Sequence, residues 1–145
     1  MTTVLLVNLA ATLFMTGLIW FVQVVHYPLF AHVGDPGFSA YAAVHSARTT
    51  RVVAPPMIVE SLTAVALALS PPPEIPAPWA WAGVGLVAII WVSTALLQVP
   101  RHRAFAAGFD GDAWRALVWS NWLRTVTWTA RAVLVSAMVA RVVAG

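Results

Sequence analysis

The chain has 145 residues, 61% of them hydrophobic and only 9% charged, with a formal net charge of +3. A soluble domain carries about 25% charged residues, so this chain lacks the polar surface to fold in water, and its mean hydropathy of +0.83 puts it in the membrane class. The absence of cysteine excludes disulfides, thiolate catalysis and thiolate-held zinc or iron–sulfur clusters.

Every basic residue is arginine, which a GC-rich genome alone can produce. An isoelectric point near 10.7 would point to nucleic acid in a soluble protein. Here the arginines flank apolar runs, so membrane topology explains them and no nucleic-acid partner is expected.

A hydrocarbon core about 30 Å thick takes roughly 20 helical residues. The first candidate span is 4–25. Residues 1–25 have no positive n-region, since the chain's first arginine is Arg48, and the run is too long for a signal-peptide core, so it reads as a retained span. "QVVHYPLF" ends it with His26 and Tyr27. Gly34, Asp35, Pro36 and Gly37 then form a turn.

In the segment 38–53, Tyr41, His45, Arg48 and Val52 recur at three- and four-residue steps along one helical face. It reads as an extra amphipathic helix at the membrane surface, or as a polar extension of the next span. That second span, 55–69, opens on Pro55 and Pro56, which suit a first turn or a kink, and holds Glu60, the one acid inside any apolar run. "SPPPEIPAPW" is a tight hairpin, and the third span, 79–99, closes on Gln98 before Pro100 and His102.

"GFDGDAWRALVW" begins with a turn and enters a helix with Asp112 as a plausible N-cap, leading into span four, 122–143. Leu117, Asn121, Arg124, Trp128, Arg131 and Val135 step by four and three, which lines them along one packing face. No internal repeat is evident. The fold expected is an all-α bundle of four transmembrane helices in one domain, 1–145, with the amphipathic helix between spans one and two.

Four spans put both termini on one face. The connections on the other face hold Arg48, Arg51, Arg101, Arg103 and Arg115. The positive-inside rule makes that face cytoplasmic, as in a bacterial-type inner membrane, with both termini outside. His26, Tyr27, His45, Arg48, Glu60, Gln98, His102, Asn121 and Arg124 all fall toward this same end.

Arg131 lies about 10 Å deeper than Arg124 along the helix. A charge near mid-bilayer costs roughly 2.5–3.5 kcal/mol on insertion scales, so Arg131 needs an interior partner. Glu60 is the favoured one, with a Glu60–Arg124 pair next; a pair that only fixes helix register is the alternative to a functional one. Trp79, Trp81, Trp114, Trp119 and Trp122 fit aromatic belts, whereas Trp20, Trp91 and Trp128 lie deeper and either pack inside or line a pocket for a flat ligand.

His26, His45 and His102, with Glu60, compose a nitrogen- and oxygen-rich set of the kind that takes iron, copper or zinc. Two of these histidines could instead bind haem iron axially. No pair has a recognised metal-motif spacing. His32 falls in the turn and is left aside.

"QVPRHRAFAAGFDGDAWRALVWSNWLRT" resembles the anthrone-oxygenase-like family of small four-helix membrane proteins. The shared pattern is Val-Pro after span three, a spacer with an aspartate, a Trp-rich helix, then Asn-Trp-x-Arg-Thr. "YPLF" and "PPMIVE" agree with it. The resemblance implies oxidation of anthrones to anthraquinones with oxygen, and shared residues Pro100, Trp119, Asn121, Arg124 and Thr125. His102 stands where many bacterial relatives carry asparagine.

Three functions follow. As a membrane oxidoreductase or oxygenase for a lipophilic aromatic or quinone-like molecule, His45 or His102 acts as general base. Arg124 and Asn121 stabilise the oxyanion, Glu60 completes the polar site, and Trp128, Gln98, Tyr27, Arg48 and Arg131 line the ligand or cofactor pocket. As a carrier, the protein holds haem, iron or copper through His26, His45 and His102. As a scaffold or transporter subunit, it forms a homo-oligomer through small-residue faces such as Ala64, Ala66 and Ala68, or Gly83 and Gly85.

Overall fold

The structure, a computed structural model, describes the backbone of residues 1–145 and every side chain except that of Asp35. Four helices follow one another with no strand among the described residues: α1 (Thr2–His32), α2 (Asp35–Leu69), α3 (Ala77–Ala107) and α4 (Gly111–Ala144). All four are long and apolar enough to cross a membrane. At 1.5 Å per residue, α2 with its 35 residues is about 52 Å long, well beyond a hydrocarbon core of about 30 Å. The surplus forms a polar-headed extension at the end where α1 turns into α2 and α3 into α4.

The segment 38–53 is not a separate surface helix. It is the first half of α2, which continues unbroken through Pro55 and Pro56. The reason is packing: Phe38 and Ala42 are buried, and Tyr41 packs beside them, in the same core as Tyr27 and Phe30 of α1 and Phe105 of α3. That burial holds the segment upright against the neighbouring helix ends.

α1 and α3 end alike, although their sequences show no repeat. Each opens into one π turn, Val22–His26 and Thr94–Gln98, and resumes as α-helix through Pro28 or Pro100. Each then tightens into a 3₁₀ turn, Phe30–His32 and Phe105–Ala107. A proline lacks the N–H for the helix ladder and its ring crowds the carbonyl four residues back; a wider turn just upstream absorbs both. The inserted residue also rotates the following side chains by about 100° around the helix, which brings Tyr27 and His102 to the interior. Gly34 (φ 84°) and Gly108 (φ 126°) then reverse the chain in a conformation that favours glycine. The N-cap of α4 is Asp110, not Asp112: its Oδ1 accepts from the Asp112 and Ala113 amides at 2.9 and 3.0 Å, while Asp112 pairs with Arg115.

Each helix packs against two neighbours, closing a ring in the order α1, α2, α3, α4. The Glu60–Arg131 ion pair reaches across the diagonal of that ring, from α2 to α4. Arg131 Nε donates to Glu60 Oε1 at 2.6 Å, Nη1 donates to the Gly83 carbonyl at 2.6 Å and Nη2 to Asn8 Oδ1 at 3.0 Å. Glu60 also accepts from Thr12 and from the Trp128 indole, and Asn8 donates on to the Glu60 carbonyl and Thr63. All four helices contribute. The network separates an apolar layer around Leu5, Leu67, Val135 and Met138 from a larger one around Met15, Met57, Phe30 and Trp128.

The outward faces of the helices are apolar: Leu62, Leu96, Val126 and Val133 are all exposed. Such a girdle suits lipid and not water, and the chain is an integral membrane protein by composition and helix length. Trp20 and Trp91 lie on this outer face rather than inside, their indole N–H groups donating to Thr129 and Ser61 on adjacent helices. Trp128 alone of the three deep tryptophans is buried.

Removing one partner of a buried ion pair leaves the other charge uncompensated, at a cost of about 3–5 kcal/mol. Glu60→Leu and Arg131→Met should each destabilise the fold by that order in a detergent unfolding titration. The double variant Glu60→Leu/Arg131→Met should recover most of the loss. Additive losses would contradict the pairing.

Candidate functional site

The extended end of the bundle is organised around Phe30, which has no exposed surface. Its ring meets His26, His45 and His102 edge-to-face at centroid separations of 5.2, 5.0 and 6.3 Å. Phe38, Tyr41 and Phe105 pack against its other sides at 5.5–6.1 Å. Three histidines from three helices are therefore held by one aromatic ring.

Their nitrogens engage in pairs. His26 Nε2 and His45 Nδ1 lie 2.9 Å apart, with the Thr49 hydroxyl 3.2 Å from the same His45 nitrogen. An N–H···N bond needs one donor and one acceptor, so at least one of the two rings is neutral. His102 Nε2 lies 3.0 Å from the Tyr27 hydroxyl. His102 also stacks on His45, centroids 5.5 Å apart and planes 29° from parallel. The Trp114 indole donates to the Tyr27 carbonyl at 2.8 Å and fixes the bend where α1 ends.

Two cavities flank His45. One, of about 470 Å³, lies between α1 and α2 and is lined by His26, Tyr41, His45, Arg48, Thr49 and Val52 among others. The other, of about 420 Å³, lies chiefly between α2 and α3 and is lined by Tyr27, His45, Thr49, His102, Arg103 and Arg124. Both volumes fall in the range of small-molecule sites, about 300–1,000 Å³. His45, Thr49 and Val53 belong to both walls.

Arg124 is the distinctive group here. It is 8% exposed and, among the described residues, makes no hydrogen bond or ion pair; its Nε is buried without a partner. Its guanidinium carbon sits 5.4 Å from the Trp128 ring centre. His102 Nδ1 is likewise buried and without a partner.

The sequence-derived residues divide into two groups. His26, Tyr27, His45, Arg48, His102 and Arg124 line the cavities. Glu60 and Arg131 do not; they belong to the ion-pair network deeper in the bundle, and Trp128 bridges the two regions, bonding Glu60 and lying under Arg124. Asn121 and Gln98 are also off the cavity walls. Asn121 is fully buried and donates to Gln23 Oε1 at 2.8 Å, fastening α4 to α1, while Gln98 accepts from Ser93 and approaches Ser120.

No group of three or more histidine, aspartate or glutamate side chains is placed to hold a metal ion among the described residues. His26 Nε2 and His45 Nδ1 face each other at 2.9 Å, and His45 meets His102 by its face.

Phe30 and Thr49 are contributors to which sequence reasoning gave no role, and Gln23, noticed at the end of the first apolar run, is the partner of Asn121. Thr49 sits one turn after His45 and Phe30 one turn after His26, a helical spacing that carries the signal. Gln23 is a polar residue inside an apolar run. Compared with known proteins, the chain matches no family model, no curated protein and no solved structure.

If Phe30 positions the histidines, Phe30→Ala should cost about 3–5 kcal/mol of stability, the usual range for losing a buried aromatic ring. It should also disperse the His26, His45 and His102 side-chain signals in ¹⁵N NMR spectra. Unchanged histidine signals in a folded Phe30→Ala protein would contradict the role.

Proposed function

We propose that this is a membrane oxidoreductase or oxygenase acting on a lipophilic aromatic or quinone-like molecule, related to the anthrone-oxygenase-like proteins. The observation that carries the reading is Arg124: a buried cation without a counter-ion, in the wall of a cavity that also holds His45, His102 and Tyr27. Bases, a cation and apolar walls in one cavity suit a phenolic substrate. The positive-inside rule places this end in the cytoplasm and both termini outside, in a bacterial-type inner membrane. A substrate dissolved in the bilayer reaches the cavities from between neighbouring helices.

The reaction is proton removal followed by oxidation with dioxygen. His45 or His102 takes a proton from the substrate, leaving an enolate or phenolate whose oxygen faces Arg124. For an anthrone, the methylene carbon loses two hydrogens and gains one oxygen atom of O₂, and the second oxygen atom leaves as water. The electrons lost by carbon are those gained by O₂. Asn121, fully buried and bonded to Gln23, has no part in oxyanion binding in this scheme.

Purified protein should consume oxygen with anthrone or hydroquinone substrates. General acid–base catalysis contributes typically 10²–10⁴-fold, so the essential histidine, identified by His45→Ala or His102→Ala, should lower kcat by about that factor. Arg124→Ala should do likewise. Turnover unchanged in all three variants would refute the reading, and a Soret band or stoichiometric iron or copper in purified protein would favour a carrier instead.

A further inference from the structure

The two buried arginines of α4 differ in one respect. Arg131 has Glu60 at 2.6 Å, a backbone carbonyl and an asparagine oxygen on its guanidinium. Arg124, seven residues away on the same face, has none of these. A buried charge without a partner is costly, and the Trp128 ring beneath it compensates only part of that cost. Arg124 lines the cavity between α2 and α3 together with His102, whose Nδ1 is likewise buried without a partner.

We infer that Arg124 is the anchor for the ionised oxygen of a lipophilic acid, which binds in the α2–α3 cavity as its anion and supplies the missing counter-ion. This deepens the reading above and rests on it in taking that cavity as the ligand site and Arg124 as the group the ligand oxygen faces. The guanidinium offers a planar fork of N–H donors suited to a carboxylate or phenolate oxygen. Val53 and Val99 give the cavity apolar wall for the body of the ligand, and exposed Arg103 adds positive charge at the rim. An oxygen seated on Arg124 lies in the same cavity as Tyr27 and His102, so the ligand completes a polar cluster that the protein leaves incomplete.

Two ligand sources share this chemistry: an aromatic phenol and a membrane fatty acid. 2-Naphthol, whose ionised form has its own absorption, probes the first; cis-parinaric acid, which fluoresces when bound, probes the second. Full-length protein in lipid nanodiscs is titrated with each. A neighbouring cation lowers the ionisation midpoint of an acid by about 1–3 pH units. The expected result is that bound 2-naphthol ionises at a midpoint lower by that amount, that Arg124→Gln abolishes the shift, and that Arg124→Lys, which keeps the charge, retains part of it. Arg124-dependent binding of cis-parinarate alone would assign the anchor to a fatty acid. Binding of neither probe, or binding and ionisation unchanged in folded Arg124→Gln and Arg124→Lys, would overturn the inference. Absent oxygen consumption with an intact midpoint shift would overturn the enzyme reading alone.

Discussion

The Glu60–Arg131 pair is the interaction on which the rest of the bundle depends. Neighbouring helices in the ring can slide past one another with little change in apolar contact, because lipid competes on equal terms with side chains for their outer faces. A charge pair across the diagonal cannot slide. Arg131 donates one bond to each of the other three helices, through Glu60, Gly83 and Asn8. That fixes the depth of all four relative to one another. A Cβ added at Gly83 would lie 3.2 Å from Arg131 Nη1, so the guanidinium would have to give by a few tenths of an ångström to admit one.

With register set at mid-depth, the extended ends of the helices meet in a defined way. The π turns of α1 and α3 rotate Tyr27 and His102 inward, and α2, rising unbroken through Pro55 and Pro56, carries His45 between them. Phe30 fills the space that the three imidazoles surround. Trp128 connects the two levels, bonded to Glu60 on one side and stacked under Arg124 on the other. The deep arginine is saturated and structural; the shallower one is unsaturated and faces a cavity. Polar groups that complete one another hold a fold together, whereas those left incomplete beside a cavity are where a ligand belongs.

The helical class, the four spans and the Glu60–Arg131 partnership were legible in the sequence because hydropathy, four-and-three spacing and the scarcity of acids are local or compositional signals. The inward stripe from Leu117 to Val135 was legible for the same reason. What was not legible depends on backbone irregularity and tertiary packing. The joining of 38–53 to span two turns on burial of Phe38 and Ala42 against other helices. The π turns leave no motif beyond a proline, and they decide which residues face inward. Asn121 and Gln98 read as site residues from their depth, yet neither lines the cavities: Asn121 Nδ2 bonds Gln23, with its Oδ1 buried without a partner, and Gln98 Oε1 accepts from Ser93. The three histidines did gather, but the facing of His26 and His45 is set by side-chain direction alone.

The claim at the centre of this account is that a ligand occupies the α2–α3 cavity with its oxygen on Arg124. The most direct test is anomalous diffraction from crystals grown in a lipid phase and soaked with 6-bromo-2-naphthol. The account predicts a bromine peak within that cavity, with the naphthol oxygen in hydrogen-bond contact with the Arg124 guanidinium and the ring against Val53 and Val99. Bromine confined to the lipid-facing grooves, with Arg124 untouched, would contradict it.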